Sequence, residues 1–209
     1  MFEVIPGILE KEWNKIELKI QLVLPFTKTI HIDLLDGKFS PDTTHMNPEP
    51  FKKYSKDVFF ELHMMVNEPI QYLKPFADAG FKRFLGHVEK MSDIAEFVAE
   101  GQLLGEVGLA IDGPTPLEAI QVPYEDLDCL LFYTSDKAGS SGSPFVPDRL
   151  VRLQQARAKT QIPIEVDGGV NNETIKAAQH AGANRFVSTT FLFHGDNPSG
   201  QYKLLIDTL

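Results

Sequence analysis

Short apolar runs of strand length alternate along this chain with stretches whose apolar residues recur at helical spacing. The strand candidates are residues 2–8, 29–35, 58–64, 81–87, 107–111, 128–134, 162–166 and 184–187. Between them, residues 10–24 carry Trp13, Ile16 and Ile20, residues 68–79 carry Ile70, Leu73, Phe76 and Ala77, and residues 92–102 carry Ile94, Phe97 and Val98. Residues 147–158 and 172–181 follow the same logic, since this spacing puts apolar side chains on one helical face. Ser92 and Asn172 are the expected N-caps. Apolar strands alternating with amphipathic helices imply a parallel sheet covered on its outside. Eight such units predict an α/β fold closed into a (β/α)8 TIM barrel, with residues 1–209 as a single domain. Barrels typically run about 250 residues, so this one needs short loops. The other arrangement, an open doubly wound sheet, usually carries a Gly-rich phosphate turn after its first strand. Gly7–Ile8–Leu9–Glu10 is no such turn.

The polar positions add chemistry. His31 and Asp33 lie on the second strand, Glu61 and His63 on the third, His87 and Glu89 at the end of the fourth, Asp112 after the fifth and Asp167 at the end of the seventh. In a barrel all C-terminal strand ends face one mouth, where catalytic groups gather from several strands. Apolar strands bear a high cost for charges they do not use. His31 and Asp33 are two apart and point the same way. With His63 and Asp167 they offer two imidazoles and two carboxylates. That set suits a divalent transition metal, zinc first, with iron(II), manganese or cobalt as alternatives. The two carboxylates can also serve as acid and base. His45, His180 and His194 fall in loop or helix contexts and are expected in solvent. Asp36 and Asp42 read as turn residues, and Cys129 as a small strand hydrophobe.

Glycines and hydroxyls form a second group. Gly168–Gly169 follows Asp167, the run Lys137–Ala138–Gly139–Ser140–Ser141–Gly142–Ser143 follows strand six, and Thr189–Thr190 follows strand eight. Glycine lets backbone approach a ligand and present N–H groups to an anion. Barrels often hold phosphate with the loops after strands seven and eight.

Composition narrows the partners. Hydrophobic residues make up 43% and charged residues 23%, ordinary for a globular protein. Twenty basic against 29 acidic residues give a net charge of −9, which disfavours nucleic acid and anionic membranes. A small anion can still be held locally by backbone N–H groups. No apolar run is long enough to span a bilayer. Met1–Phe2–Glu3 lacks the basic start of a signal peptide, and the single Cys129 allows no internal disulfide. The expected setting is cytoplasmic.

These residues carry a resemblance. His31–Ile32–Asp33–Leu34–Leu35–Asp36–Gly37–Lys38–Phe39–Ser40–Pro41–Asp42 resembles the H-[IF]-D-V-M-D-x-x-[FY]-V-P-N segment of ribulose-phosphate 3-epimerases. Leu62–His63–Met64–Met65–Val66 is similar to their V-H-L-M-V, and Gly86–His87–Val88–Glu89 to F-H-x-E. Gly108–Leu109–Ala110–Ile111 with Thr115–Pro116, Glu165–Val166–Asp167–Gly168–Gly169–Val170 and the run from Ala181 to Val187 match further family segments in order.

The resemblance implies a ribulose-phosphate-binding type of barrel with a divalent metal held by His31, Asp33, His63 and Asp167. It implies an isomerase of the pentose phosphate pathway. Asp33 and Asp167 would be an acid/base pair on opposite faces of the sugar, moving the C3 proton of a ketose phosphate through a metal-stabilised enediolate. The substrate, D-ribulose 5-phosphate or D-xylulose 5-phosphate, would meet Gly7, His63, Met65, Gly139, Ser140, Ser141, Gly142, Gly168, Gly169, Thr189 and Thr190. The family's methionine positions on strands two and six hold Leu35 and Phe132 here. Family members often form homo-oligomers.

The chain departs from the pattern in three places. Pro6–Gly7–Ile8–Leu9 replaces Pro-Ser-Ile-Leu, losing a hydroxyl near the metal. Residues 135–145 form a longer loop after strand six. Thr189–Thr190 replaces Gly-Ser. All three changes spare the four ligands, and two of them touch the phosphate grip. They leave open a six-carbon substrate such as allulose 6-phosphate, or a non-catalytic sugar-phosphate-binding relative. A Schiff-base aldolase would use Lys137. A decarboxylase of the orotidine-phosphate type would want a lysine between the strand-two aspartates, where Leu34–Leu35 stands.

Overall fold

The computed structural model describes residues 2–136 and 138–209. Lys137, the residue an aldolase reading needs, lies outside the described residues. Eight strands pair in chain order: β1 (Glu3–Ile8), β2 (Thr29–Leu35), β3 (Phe59–Met65), β4 (Phe81–His87), β5 (Glu106–Ile111), β6 (Cys129–Tyr133), β7 (Ile164–Asp167) and β8 (Arg185–Ser188). All pairings are parallel, and β8 returns to β1 to close the barrel. Every strand lies within two residues of its sequence-predicted position.

The helices α1 (Trp13–Val23), α2 (Ile70–Asp78), α3 (Ile94–Gln102), α4 (Leu150–Arg157) and α5 (Ile175–Ala181) fill the predicted intervals but start two or three residues late. The caps explain part of this. Asp93, not Ser92, caps α3, its carboxylate accepting the Glu96 N–H at 2.9 Å. Ser92 instead donates to Glu68 at 2.9 Å. Ahead of α5, Asn171 rather than Asn172 accepts the N–H groups of Glu173 and Thr174, at 2.8 and 3.0 Å. Two further helices, α6 (Thr190–Phe193) and α7 (Pro198–Thr208), follow β8. Asn197 caps α7 through the Gly200 N–H at 2.9 Å with Pro198 at its first position, an Asn-Pro helix start outside the apolar periodicity.

Two connections carry only 3-10 turns: Glu49–Tyr54 between β2 and β3, and Leu117–Ala119 with Tyr124–Asp126 between β5 and β6. Pro41, Pro48 and Pro50 interrupt the first segment, and Pro114, Pro116 and Pro123 the second. Proline lacks the N–H that a helix interior needs. Phe51 covers the barrel where a helix would otherwise sit. Its ring packs edge-on to Phe60 and Phe81 at 5.4 and 5.1 Å. Truncating such a residue costs about 3–5 kcal/mol.

Side chains alternate across the sheet. Ile30, Ile32 and Leu34 of β2 and Phe60, Leu62 and Met64 of β3 belong to the large core between sheet and helices. Phe132 belongs to it as well, so the side chain on the inner face of β6 is its neighbour Tyr133. The barrel interior holds the opposite set. Leu85, Ala110, Cys129 and Leu131 plug the β4–β6 side, leaving the buried ionisable residues of β2, β3 and β7 concentrated on the other.

Candidate active site

The register across β2 and β3 sets Asp33 beside His63 and His31 beside Glu61. All four side chains point inward and are buried. Asp167, at the end of β7, reaches the same point from the far side of β1 and β8. His63 Nδ1 lies 3.0 Å from Asp33 Oδ1 and 3.3 Å from Asp167 Oδ2. His31 Nε2 lies 3.3 Å from Asp33 Oδ1 and 4.0 Å from Asp167 Oδ2. One atom from each residue thus falls within 4.8 Å of all the others.

This cluster could hold a divalent ion. A tetrahedral ion with bonds of about 2.1 Å has donor atoms about 3.4 Å apart, inside the observed spread of 3.0 to 4.0 Å. His31 Nε2 is fully buried and lacks a hydrogen-bond partner, an arrangement that is costly unless something accepts its lone pair.

A second layer of polar side chains surrounds the cluster. His31 Nδ1 is 2.5 Å from Glu61 Oε1 and 3.4 Å from Glu165 Oε1. Glu61 also accepts from Arg83 Nη1, and Arg83 Nε donates to Glu106 at 2.8 Å. His63 Nε2 meets His87 Nε2 at 2.9 Å, His87 Nδ1 meets Glu89 at 3.0 Å, and Glu89 accepts the Asp112 N–H at 2.7 Å. The signal for this layer was the i, i+2 repetition of ionisable residues on β2, β3 and β7.

Charge follows from these contacts. Burial opposes the charge on Asp33, but the neighbouring imidazoles of His31 and His63 outweigh it and hold the carboxyl at about 2. Burial likewise opposes charging His31 and His63, yet their carboxylate neighbours push both upward. His87 is lowered, mainly by burial. Glu89 is held at about 2 by His87 and the Asp112 N–H, against burial. Glu165, buried and facing Glu61, is raised to about 7.

A cavity of about 340 Å³ opens above the cluster. Asp33 and Asp167 form its floor, and Met65, Gly139, Ser140, Ser141, Gly142, Gly168, Gly169, Thr189 and Thr190 all line it. Two expected contacts are absent from this wall. His63 lies beneath it, fully buried. Gly7 is covered by Thr189, whose Oγ1 would lie 2.2 Å from a Cβ at position 7. Tyr133, Phe145, Asn171, His194 and Gln201 line the cavity without having been singled out for it. His194 is exposed there, and His180 is exposed elsewhere, as expected. His45 is not solvated: it is half-buried against Trp13, with ring centroids 5.8 Å apart. Asp36 does act in a turn, accepting the Lys38 N–H at 2.9 Å, and also ties in the Asn67 N–H at 3.0 Å.

Gly168 and Gly169 adopt φ of 108° and 70°. A Cβ on Gly169 would lie 2.4 Å from Phe145 N, so the β6–α4 loop packs directly on this turn. Ser141 Oγ and Thr190 Oγ1, 2.8 Å apart, join the same loop to the start of α6.

The chain resembles known proteins in fold and in sequence. The solved 3-keto-L-gulonate-6-phosphate decarboxylase from Vibrio cholerae matches with a TM-score of 0.77 at 13% identity, over 100% of this chain and 97% of that one. The 3-hexulose-6-phosphate synthase from Salmonella typhimurium matches with a TM-score of 0.75 at 14% identity, over 99% and 98%. These likenesses establish the fold. In sequence, the ribulose-phosphate 3-epimerase of Schizosaccharomyces pombe is 33% identical over 204 residues, 94% of this chain and 89% of that protein. The ribulose-phosphate 3-epimerase of Bacillus subtilis is 30% identical over 207 residues, 92% of this chain and 93% of that protein. The model of the ribulose-phosphate 3 epimerase family matches residues 3–193. Such homologues are isomerases, and on this match the chain belongs to the ribulose-phosphate 3-epimerase family.

Proposed function

We propose that the chain is a metal-dependent ketose-phosphate 3-epimerase interconverting D-ribulose 5-phosphate and D-xylulose 5-phosphate. The observation that carries this reading is the convergence of Asp33 and Asp167 on a cavity floor with His31 and His63. Inverting C3 needs proton transfer on both faces of a planar intermediate, and strands β2 and β7 supply one carboxylate each. Asp33 gives Oδ1 and Asp167 gives Oδ2 to the cluster, so each keeps its other oxygen for the substrate. One carboxylate takes the C3 proton and the other returns a proton to the opposite face; the reverse reaction exchanges their roles. A divalent ion held by His31, Asp33, His63 and Asp167 would supply Lewis-acid stabilisation of the charge developing on the substrate oxygens. Met65 and Tyr133 present apolar surface to the reacting centre, which keeps water from the carbanionic carbon. Gly168, Gly169, Ser141 and Thr190 all line the cavity, and their N–H and hydroxyl donors suit the phosphate.

The altered loops bear on substrate length, so the assay compares ribulose 5-phosphate with allulose 6-phosphate by kcat/KM. In deuterated water the protein should exchange the C3 hydrogen of its substrate, and Asp33→Asn or Asp167→Asn should each abolish the exchange. Exchange that survives both substitutions would refute the two-carboxylate mechanism. Absence of exchange with every ketose phosphate would favour a binding protein. Among the described residues no helix is long and apolar enough to cross a membrane, and one relative is named a cytoplasmic isoform. A cytoplasmic place is part of the proposal.

A further inference from the structure

We propose that Glu61, clamped by Arg83, is a positioning residue that fixes which nitrogen of His31 is offered to a divalent metal ion. This rests on the metal-site reading above. His31 is fully buried and its two ring nitrogens face different surroundings. Nε2 points into the cluster and has no hydrogen-bond partner. Nδ1 points away, 2.5 Å from Glu61 Oε1. A neutral imidazole carries one N–H, and an ionised carboxylate only accepts. Glu61 therefore draws the proton to Nδ1 and leaves the lone pair on Nε2, the nitrogen facing Asp33 and Asp167.

The carboxylate is itself held. Its Oε2 accepts from Arg83 Nη1, while Arg83 Nε is engaged by Glu106 at 2.8 Å. The barrel register explains the alignment: His31 pairs with Glu61, and Glu61 pairs with Arg83, so three neighbouring strands present the chain at one level. With both oxygens engaged, Glu61 has no rotation left that would release the His31 proton. Glu165 is the other carboxylate near Nδ1, but at 3.4 Å it is the more distant partner.

A merely structural ion pair would leave metal affinity alone once both buried charges are removed together, since Glu106, which also loses Arg83, is partly exposed to water. The test measures Co(II) and Zn(II) dissociation constants by chelator competition. It compares the unsubstituted protein, the double variant Glu61→Met with Arg83→Met, and the double variant Glu61→Gln with Arg83→Met. The Met pair removes the acceptor for Nδ1–H and should weaken binding 10–100-fold, with a changed Co(II) visible spectrum. The Gln variant keeps an acceptor and should recover most of that loss. Equal affinity in all three overturns the proposal, as does an equal loss in both double variants. Nitrogen-15 NMR of the unsubstituted Zn(II)-loaded protein gives a reading free of folding effects. It should show His31 protonated at Nδ1 and coordinated through Nε2; the opposite assignment overturns the proposal. If the unsubstituted protein binds neither ion, the metal-site reading fails and takes this proposal with it.

Discussion

The hydroxyl of Thr189 fills the place beside Gly7 that a side chain would need: a Cβ on Gly7 would lie 2.2 Å from Thr189 Oγ1 and 2.8 Å from Val187 Cγ1. The two positions are neighbours because Pro6 pairs with Ser188 across β1 and β8. The family pattern has Ser and Gly where this chain has Gly7 and Thr189. The Thr189 hydroxyl, just past the end of β8, therefore occupies the space beside Gly7, and Thr189 lines the cavity there. Gly7→Ser alone should destabilise the fold by about 1–3 kcal/mol through overpacking and lower kcat/KM. Adding Thr189→Gly should restore both. A double-mutant cycle by thermal melting and kinetics measures the coupling, and additive effects would show the two sites to be independent.

Metal loading should raise thermal stability. A ligand that binds only the folded state contributes about 2.7 kcal/mol at 100 times its Kd. A domain of this size shifts Tm by about 2–4 °C per kcal/mol. Zinc or cobalt added to chelator-treated protein should thus raise Tm by about 5–10 °C. Asp33→Asn, which removes one donor, should shrink the increase, as calorimetry with and without metal will show.

Glu165 gives a pH dependence of definite sign. Its carboxyl is raised from 4.5 to about 7 in the folded protein, chiefly by burial and by the Glu61 charge. The folded state therefore holds the proton more tightly than the unfolded chain. Stability associated with this group is highest below 4.5 and falls as pH rises through about 7. Glu165→Gln keeps the shape without the charge. Measured on metal-free protein, the variant should gain Tm relative to the parent at pH 8 and lose that advantage near pH 4.5. A parallel pair of curves would contradict this.

Gly169→Ala should be costly in two ways. The position has φ of 70°, and its Cβ would lie 2.4 Å from Phe145 N. Left-handed backbone strain is about 1–2 kcal/mol for a residue with a side chain, and relief requires the β6–α4 loop to move off the cavity. Expected outcomes are lower Tm and a KM for the sugar phosphate raised at least tenfold, with a smaller effect on kcat. An unchanged KM would place the phosphate elsewhere.

The barrel was legible from the chain because both of its signals are local. Thr29–Leu35 reads as a strand from seven residues, and the apolar turns of α1 read as a helix from eleven. The proposed ligands were legible for a related reason. A strand of known direction shows which of its residues share a side and which end they occupy, so His31, Asp33, His63 and Asp167 could be placed at one mouth before any distance was known. On β6 the inner face belongs to Tyr133 and not to Phe132, the residue matched to a family methionine, because a one-residue shift along a strand reverses the side chain. Two outcomes depended on how the strands assemble. Thr189 came to cover Gly7 through contact between the first and last strands, 182 positions apart in the chain. The link from Arg83 to Glu61 to His31 needed three strands at a common level. Local periodicity fixes the direction a side chain points along its own strand; only closure of the sheet decides which distant side chain it meets.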